Sequence, residues 1–576
     1  MRATFLVERD LQVRMRDGTV LRADLYRSSD ERKYPVLLQR TPYGKGESQI
    51  PMALMAVERG YCVLIQDTRG RWSSDGENYP LVHEREDGYD TLEWIANQPW
   101  SNGRIGMYGS SYLGYAQWAA AAAGHPALKT IIPSFAFRNA YNMAYQGGAL
   151  NLGVAVSWSL LAQAHMQIER LPGDPPEKAD LWQRLIRAVN GLSRGDTFRQ
   201  IPLSELPLIG KDGITPFFYD VITHPKPDAF WQELICQYEN VRLPVFHIGG
   251  WYDVFANSTL QDFVGMQARA PDDWLRRQQK LLVGPWTHAS FENLNGEMDF
   301  GLEASWIVVL PEELQLQWFD NWLKGEQNGF LDEAPVRIFV MGANRWRDEQ
   351  EWPLARTRYT PYYFHSEGNA NSSAGDGRLD SSLPVTEPAD TFDYDPQKPV
   401  PTHGGNLCCW QAALPPGPYD QSYLEKRPDI LVYTSAPLTD DLEVTGPVHV
   451  HLWAASSAPD TDFTAKLVDV YPDGTAINLV DGIQRALYRD ERAADQLEPG
   501  RIYAFQIDLG VSSNLFKAGH RLRVEISSSN FPRFDRNPNT AVSLHPKANK
   551  LGIARQSIFH DSQHPSHIVL PVIPNP

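Results

Sequence analysis

GRIGMYGSSYLGYAQWAAAAAG (residues 103–124) changes character at its middle. Arg104 to Gly109 is a short apolar run of strand type. From Ser111 the small and apolar residues suit a buried helix, and Gly124 supplies its stop. Between the two, Gly109-Ser110-Ser111-Tyr112-Leu113-Gly114 must turn the chain sharply, and a tight strand-to-helix turn crowds its own backbone. Small residues on both sides of Ser111 relieve that crowding. Such a turn holds the serine hydroxyl out at the carboxyl edge of a sheet, beside a helix N-terminus. In the usual form of the motif a glycine stands two places after the serine; here Leu113 does, and Gly114 follows.

Working outward, PVLLQR (35–40), YCVLIQD (61–67) and LKTIIPSF (128–135) are continuous apolar runs of the kind found in buried parallel strands. Helical stretches lie between them, around Met52, Leu54 and Val57 and again in EDGYDTLEWIANQPW (86–100). Residues 11–26 read as a hairpin turning at Asp17–Gly18. This alternation predicts a doubly wound α/β sheet over residues 1–145. A mostly helical segment follows, 146–237, and the α/β pattern returns over 238–355 with RLPVFHIGGWYD (242–253) and QKLLVGPWTH (279–288). The simplest account is one α/β domain carrying a helical insertion. From 356 to 576 the pattern changes again. Residues 366–404 are loop-like and rich in Gly, Ser, Asp and Pro. GPVHVHLWA (446–454), TDFTAKLVDVYPDG (461–474), RIYAFQIDLG (501–510) and HRLRVEISSS (520–529) then alternate with period two. That pattern predicts an antiparallel β domain of jelly-roll type.

The chain has 576 residues and a net charge of −17, which disfavours nucleic acid and anionic membranes as partners. No apolar stretch of about 18 residues occurs, and the N-terminus has no signal-peptide core. The four cysteines, Cys62, Cys236, Cys408 and Cys409, show no pairing or metal-binding spacing. Reduced thiols and a cytoplasmic location are the expectation.

A serine hydroxyl attacks a carbonyl only when a base removes its proton. In α/β-hydrolases the order along the chain is serine, acid, histidine. Asp253 directly follows the strand LPVFHIGG, and His288 follows KLLVGP, so both leave a sheet where catalytic loops do. His247 is a rival base, but it lies inside an apolar strand. The oxyanion needs two donors. The Tyr112 N–H is one, because it follows the nucleophile. The second belongs to the loop Arg40-Thr41-Pro42-Tyr43-Gly44, which has no glycine run; the Tyr43 hydroxyl either supplies the donor or packs beneath the loop.

Six blocks carry a resemblance: RTPYGK (40–45), DTRGRWSSDG (67–76), GRIGMYGSSYLG (103–114), GGWYDVF (249–255), LLVGPWTH (281–288) and VPTHGGN (400–406). In this order they resemble the bacterial cocaine esterase family, which includes X-Pro dipeptidyl-peptidases, α-amino-acid ester hydrolases and glutaryl acylases. The resemblance implies an α/β-hydrolase core, a helical cap and a C-terminal jelly roll. It also implies Ser111, His288 and Asp253 as a triad and Tyr43 with Tyr112 as the oxyanion hole. Phe255 would line the substrate pocket, and the VPTHGGN loop would bring Leu407 and Cys408 near. Tyr145 and Trp158 of the cap are further candidates for the pocket. Two departures narrow the activity. Val254, Phe255 and Ala256 follow Asp253 where α-amino-acid ester hydrolases place acidic residues, and sheet begins almost at once where X-Pro peptidases carry a helical domain. A third, Trp72 in place of a second glycine in DTRG, leaves that loop's path open.

The expectation is therefore a serine esterase working through an acyl-enzyme on a small-molecule ester. It needs no metal or organic cofactor, and a homodimer is compatible with the sequence. An amidase or acylase, or an X-Pro dipeptidyl-peptidase-like activity, with the same triad is the near alternative, and a non-catalytic carbohydrate-binding protein the distant one.

Overall fold

The structure is a computed structural model that describes residues 5–46, 50–173, 176–490, 495–541 and 550–574; the first four residues of the N-terminal reading lie outside it. Strands β1 (Phe5–Arg14) and β2 (Val20–Ser28) pair antiparallel, and Gly18 at their turn takes φ +90°. The parallel strands are β3 (Tyr34–Thr41), β4 (Cys62–Asp67), β5 (Ser101–Ser110), β6 (Leu128–Ser134), β7 (Val245–Tyr252), β8 (Gln279–Thr287) and β9 (Val336–Val340). β10 (Arg345–Glu349) closes the edge antiparallel. Among the described residues the ten-stranded order is β1-β2-β4-β3-β5-β6-β7-β8-β9-β10. Every residue of β4, β7 and β8 is buried, which is why these strands read as unbroken apolar runs rather than alternating ones.

The chain order reverses between β3 and β5. The connection after β3 goes one way, to β4, and the one after β5 goes the other, to β6. Loops leaving neighbouring strands in opposite directions open a crevice at their carboxyl ends, where ligands of open α/β sheets bind. The Tyr43 loop follows β3 and Ser111 follows β5, so the topology alone puts them at one place.

Helices α1 (Ile50–Glu58), α2 (Glu84–Ala96) and α3 (Tyr112–Ala122) connect the early strands. Between β6 and β7 lies a largely helical segment. It includes α4 (Leu152–Trp158), running directly into a π-helical turn (Ser159–Ala164), and α5 (Pro176–Arg194). α6 (Ala256–Arg269) starts just past Asp253. No helix among the described residues is long and apolar enough to cross a membrane.

Beyond Arg358 a separate sheet of eleven strands forms. Its longest ladder joins Leu442–Ser456 to Tyr503–Phe516, with a bulge between Val448 and His449. The loop-like region 366–404 also holds strands Arg378–Asp380 and Asp390–Tyr394. Among the described residues the second pairs on one side only, with Ala554–Phe559, and an edge position tolerates its acidic sequence.

That domain buries an ionic cluster. His560 and Asp390 are both fully buried; the imidazole contacts Asp390 Oδ2 at 2.9 Å and Glu387 Oε2 at 3.1 Å. Burial alone would lower the His560 pKa, but hydrogen bonds and charge from Asp390 and Glu387 outweigh it and raise the pKa. Burial would raise the Asp390 pKa, but hydrogen bonds from His560, the Ala370 N–H and Ser366, with the charge of His560, outweigh it and leave the pKa lowered. The stabilisation from His560 is thus complete below its unfolded value of about 6.5 and is lost as pH rises through the raised native one. That from Asp390 is present above about 3.9 and is lost as pH falls through its depressed value. Thermal melts should therefore show a decline on the alkaline side that shrinks in His560→Gln; equal slopes in the two proteins would refute the assignment.

Candidate active site

Ser111 stands between β5 and α3 with φ +62° and ψ −124°, a strained conformation for a residue with a Cβ. Its N–H donates to Ser134 O at 2.9 Å and its carbonyl accepts from the Gly114 N–H at 2.8 Å, which fixes the turn from both sides. The displaced glycine of the motif has a packing reason. A Cβ on Gly114 would meet Ala136 Cβ at 2.3 Å, and one on Gly109 would meet Leu113 Cβ at 2.7 Å. The close approach of α3 to the loop after β6 thus falls at position 114, while Leu113 packs over Gly109.

Three side chains distant in sequence meet at the carboxyl edge. His288 Nε2 lies 3.0 Å from Ser111 Oγ, and His288 Nδ1 lies 2.7 Å from Asp253 Oδ1. Asp253 is fully buried, and its Oδ2 has no hydrogen-bond partner among the described residues. Its charge is therefore directed at the imidazole. The His288 ring packs edge-on to Phe255 at 5.3 Å and Phe135 at 6.5 Å, which limits its rotation. The rival His247 is buried in the core between Trp118 and Phe263, where burial lowers its pKa to about 3, so it is neither exposed nor near Ser111's partners.

The Tyr112 N–H is in the first turn of α3, where amides have no intrahelical acceptor. The Tyr112 hydroxyl is anchored away from the site, donating to Glu84 Oε1 at 2.8 Å and accepting from the Leu81 N–H at 3.0 Å. Tyr43 does not pack beneath its loop. Its side chain faces the cavity at Ser111, and its hydroxyl accepts a 3.1 Å hydrogen bond from Trp158 Nε1–H. An oxygen that accepts from the indole keeps its own proton free to donate. Enclosure of the hydroxyl pushes the Tyr43 pKa up, against partial relief from Trp158, the Arg71 charge and Ser111, so it stays a neutral donor. Trp72 resolves the uncertainty about its loop: it takes φ +47°, a backbone that glycine would favour, and lays its indole over Gly44 while Nε1–H donates to Pro42 O at 3.2 Å.

The cavity at Ser111 has two parts. A narrow apolar chamber is lined by Phe137, Met143, Val154, Ala155, Phe217, Phe218, Val221 and Phe255 together with Tyr43, Tyr112, Trp158, Cys408 and Cys409. A wider, open groove runs from the other side of Ser111 past His288, Arg71, Trp72, His165, Glu312 and Gln315. Phe255, Trp158 and Cys408 thus line the chamber as expected. Two expected residues do not. Tyr145 is buried behind the wall, stacked on Tyr141, its hydroxyl donating to Val221 O at 2.8 Å. Leu407 turns into the core, and its neighbours Cys408 and Cys409 take the cavity face. The expectation of reduced thiols is corrected at that pair, which is joined in a disulfide, with Cys409 in left-handed backbone. Cys62 and Cys236 are free and buried, and burial raises both thiols to about 12.

Asn406, which touches the turn of the catalytic acid, was missed in sequence. Asn406 Nδ2 donates to Asp253 O at 2.8 Å and to Trp251 O at 2.9 Å, so the C-terminal domain pins the turn that carries Asp253. It ends the VPTHGGN block, but only contact with Asp253 reveals its role. Asn406→Leu should lower kcat about 10-fold with KM little changed, because two hydrogen bonds of roughly 1 kcal/mol each restrain the acid. Steady-state kinetics on any turned-over ester decides; an unchanged kcat would mean the turn holds without it.

Comparison with known proteins agrees with this layout. Residues 17–290 match the model of the X-Pro dipeptidyl-peptidase (S15) family, and residues 328–569 match the X-Pro dipeptidyl-peptidase C-terminal non-catalytic domain. The chain is 41% identical to the cocaine esterase of Rhodococcus sp. (strain MB1 Bresler), covering 99% of both sequences. Among solved structures it is similar to an α-amino acid ester hydrolase, with 25% identity, a TM-score of 0.79 and coverage of 99% of this chain and 96% of that one. It also shares the fold of an aminopeptidase from a marine sediment archaeon, Thaumarchaeota archaeon, at 23% identity, TM-score 0.80 and coverage of 99% and 96%. The chain belongs to the cocaine esterase and X-Pro dipeptidyl-peptidase family, as an α/β-hydrolase with a separate C-terminal sheet domain that acts on esters.

Proposed function

We propose that the protein hydrolyses carboxylic esters of apolar acids through an acyl-enzyme on Ser111. His288 Nε2 takes the Ser111 proton as Oγ bonds to the ester carbonyl carbon. The oxyanion is held by the Tyr43 O–H and the Tyr112 N–H. Collapse expels the alcohol, which receives the proton from His288, and water activated by the same imidazole then releases the acid. Asp253 fixes the ring with its proton on Nδ1 and stabilises the imidazolium. The observation that carries this reading is the 3.0 Å approach of His288 Nε2 to Ser111 Oγ at the junction of the two cavity parts.

The cavity also supports an orientation for the substrate. His288 lines the groove and not the chamber, and the group it must protonate is the leaving oxygen. The alcohol part therefore belongs in the groove and the acyl part in the chamber, whose lining carries no charged side chain. We read the C-terminal domain as a jelly roll that completes the chamber through Cys408 and Cys409.

A panel of esters sharing one alcohol tests this. Activity should rise with the apolar size of the acid up to the chamber's capacity and fall sharply when the acid carries a charge. Fluorophosphonate labelling of the wild type, absent in Ser111→Ala, should accompany it. Matched amides turned over as fast as the esters would move the reading to an acylase, and absence of labelling would end it.

A further inference from the structure

Arg71 is 2% exposed. It lies in the loop after β4, in the block DTRGRWSSDG. Burying a guanidinium is costly unless a carboxylate pairs with it, and no carboxylate pairs with Arg71 among the described residues. Its partners are two carbonyls. Nε–H donates to Pro42 O at 2.8 Å, and an Nη2–H donates to Ala162 O at 2.6 Å. Nη1 is buried without a hydrogen-bond partner among the described residues. A buried cation left uncompensated is the sort of local cost that proteins keep at functional sites.

The two carbonyls say what it is for. Pro42 precedes Tyr43, and Ala162 lies in the π-helical turn four residues after Trp158, whose indole N–H meets the Tyr43 hydroxyl at 3.1 Å. Arg71 thus closes a ring: Tyr43 loop, guanidinium, cap helix, Trp158 and back to the Tyr43 oxygen. Arg71, Tyr43, Trp158 and Ser111 line the same groove. Burial lowers the guanidinium to about 10, which leaves it charged at neutral pH, and that charge acts on the Tyr43 hydroxyl.

We propose that Arg71 is a positioning residue of the oxyanion hole: it clamps the Tyr43 loop to the helix bearing Trp158 and presents an unpaired positive charge behind the hydroxyl that receives the oxyanion. In the ground state no carboxylate among the described residues pairs with the cation. In the tetrahedral intermediate the oxyanion on Tyr43 becomes its counter-ion, so the interaction strengthens just when the barrier is crossed. The inference rests on the ester-hydrolase reading and on Tyr43 as a donor.

The test is a double-mutant cycle on a turned-over ester with Arg71→Met, Tyr43→Phe and the pair. Arg71→Met should lower kcat about 10- to 100-fold with KM within about 3-fold, and in the Tyr43→Phe background the same change should cost less than about 3-fold. If burial of Met prevents folding, Arg71→Lys keeps the charge but loses the fork; about 10-fold in kcat is expected, again suppressed by Tyr43→Phe. Equal factors in both backgrounds, or a rise in KM with kcat unchanged, would overturn the proposal. So would a wild-type kcat in Tyr43→Phe. Fluorophosphonate labelling of Ser111 in every variant separates these outcomes from failure of the serine-hydrolase reading, which would abolish labelling in the wild type as well, and matched amides assayed beside the ester separate them from a move to an acylase.

Discussion

Ser111→Ala and His288→Ala are each expected to lower kcat about a millionfold, and the double variant is expected to be no worse than either. The reason is that neither group works alone. Ser111 Oγ is an ordinary alcohol unless its proton has somewhere to go, and the only base at hydrogen-bond distance among the described residues is His288 Nε2, at 3.0 Å. Removing the base leaves an unreactive alcohol; removing the alcohol leaves an imidazole with nothing to activate but water. The same transition-state interaction is lost in both cases, so the losses do not multiply. The variants should stay folded. Ser111 already occupies φ +62°, and alanine strains that backbone no more than serine does. His288 rests against Phe255 and Phe135 and makes one side-chain hydrogen bond to Asp253 and one to Ser111. Kinetics with a chromogenic ester and thermal melts of all four proteins provide the measurement. A His288→Ala enzyme within about 100-fold of wild type would show that another base serves Ser111. A double variant far below the singles would show that the two act independently.

Much of this arrangement was legible in the sequence for a specific reason. Parallel strands buried on both faces must be continuously apolar, so VLL, CVLI and VFHI announced themselves, and residues just past their ends could be assigned to the crevice. Ser111, Asp253 and His288 were found that way. The cap wall was less legible. Tyr145 opens a two-residue strand and Trp158 ends α4, and sequence cannot say that Trp158 turns into the chamber while Tyr145 stacks on Tyr141 behind it. Leu407 and Cys408 differ by one residue, yet the chain's turn there sends the first to the core and the second to the cavity. The pairing of Cys408 with Cys409 was hidden because adjacent cysteines can meet only in an uncommon backbone, and Cys409 adopts one. Asn406 and Arg71 escaped notice because both act through backbone carbonyls, which have no signature in side-chain sequence. The position of glycine after the nucleophile looked like a defect of the motif and is instead a shifted point of contact, with Ala136 pressing on Gly114.

Asp253→Asn should lower kcat about 10,000-fold at neutral pH while changing KM little. Asparagine has the size and shape of aspartate, so the loss cannot be assigned to a cavity. It comes from the proton inventory. Asp253 Oδ1 accepts from His288 Nδ1 at 2.7 Å, which places the ring's one proton on Nδ1 and leaves Nε2 with a lone pair facing Ser111. An asparagine turned with its NH2 toward the ring makes Nδ1 the acceptor. The proton then sits on Nε2, where it blocks the very site that must receive the serine proton. Turned the other way, the amide leaves its NH2 where Asp253 Oδ2 now has no partner, at a buried unsatisfied-donor cost of about 1–3 kcal/mol. Both orientations also remove the negative charge that would stabilise the imidazolium. The substitution should therefore destabilise the protein slightly, slow fluorophosphonate labelling of Ser111 strongly and leave ester binding in the chamber intact. A loss of less than about 10-fold in both labelling and turnover would mean that Asp253 does not set the tautomer of His288, and another acid would have to be sought around the ring.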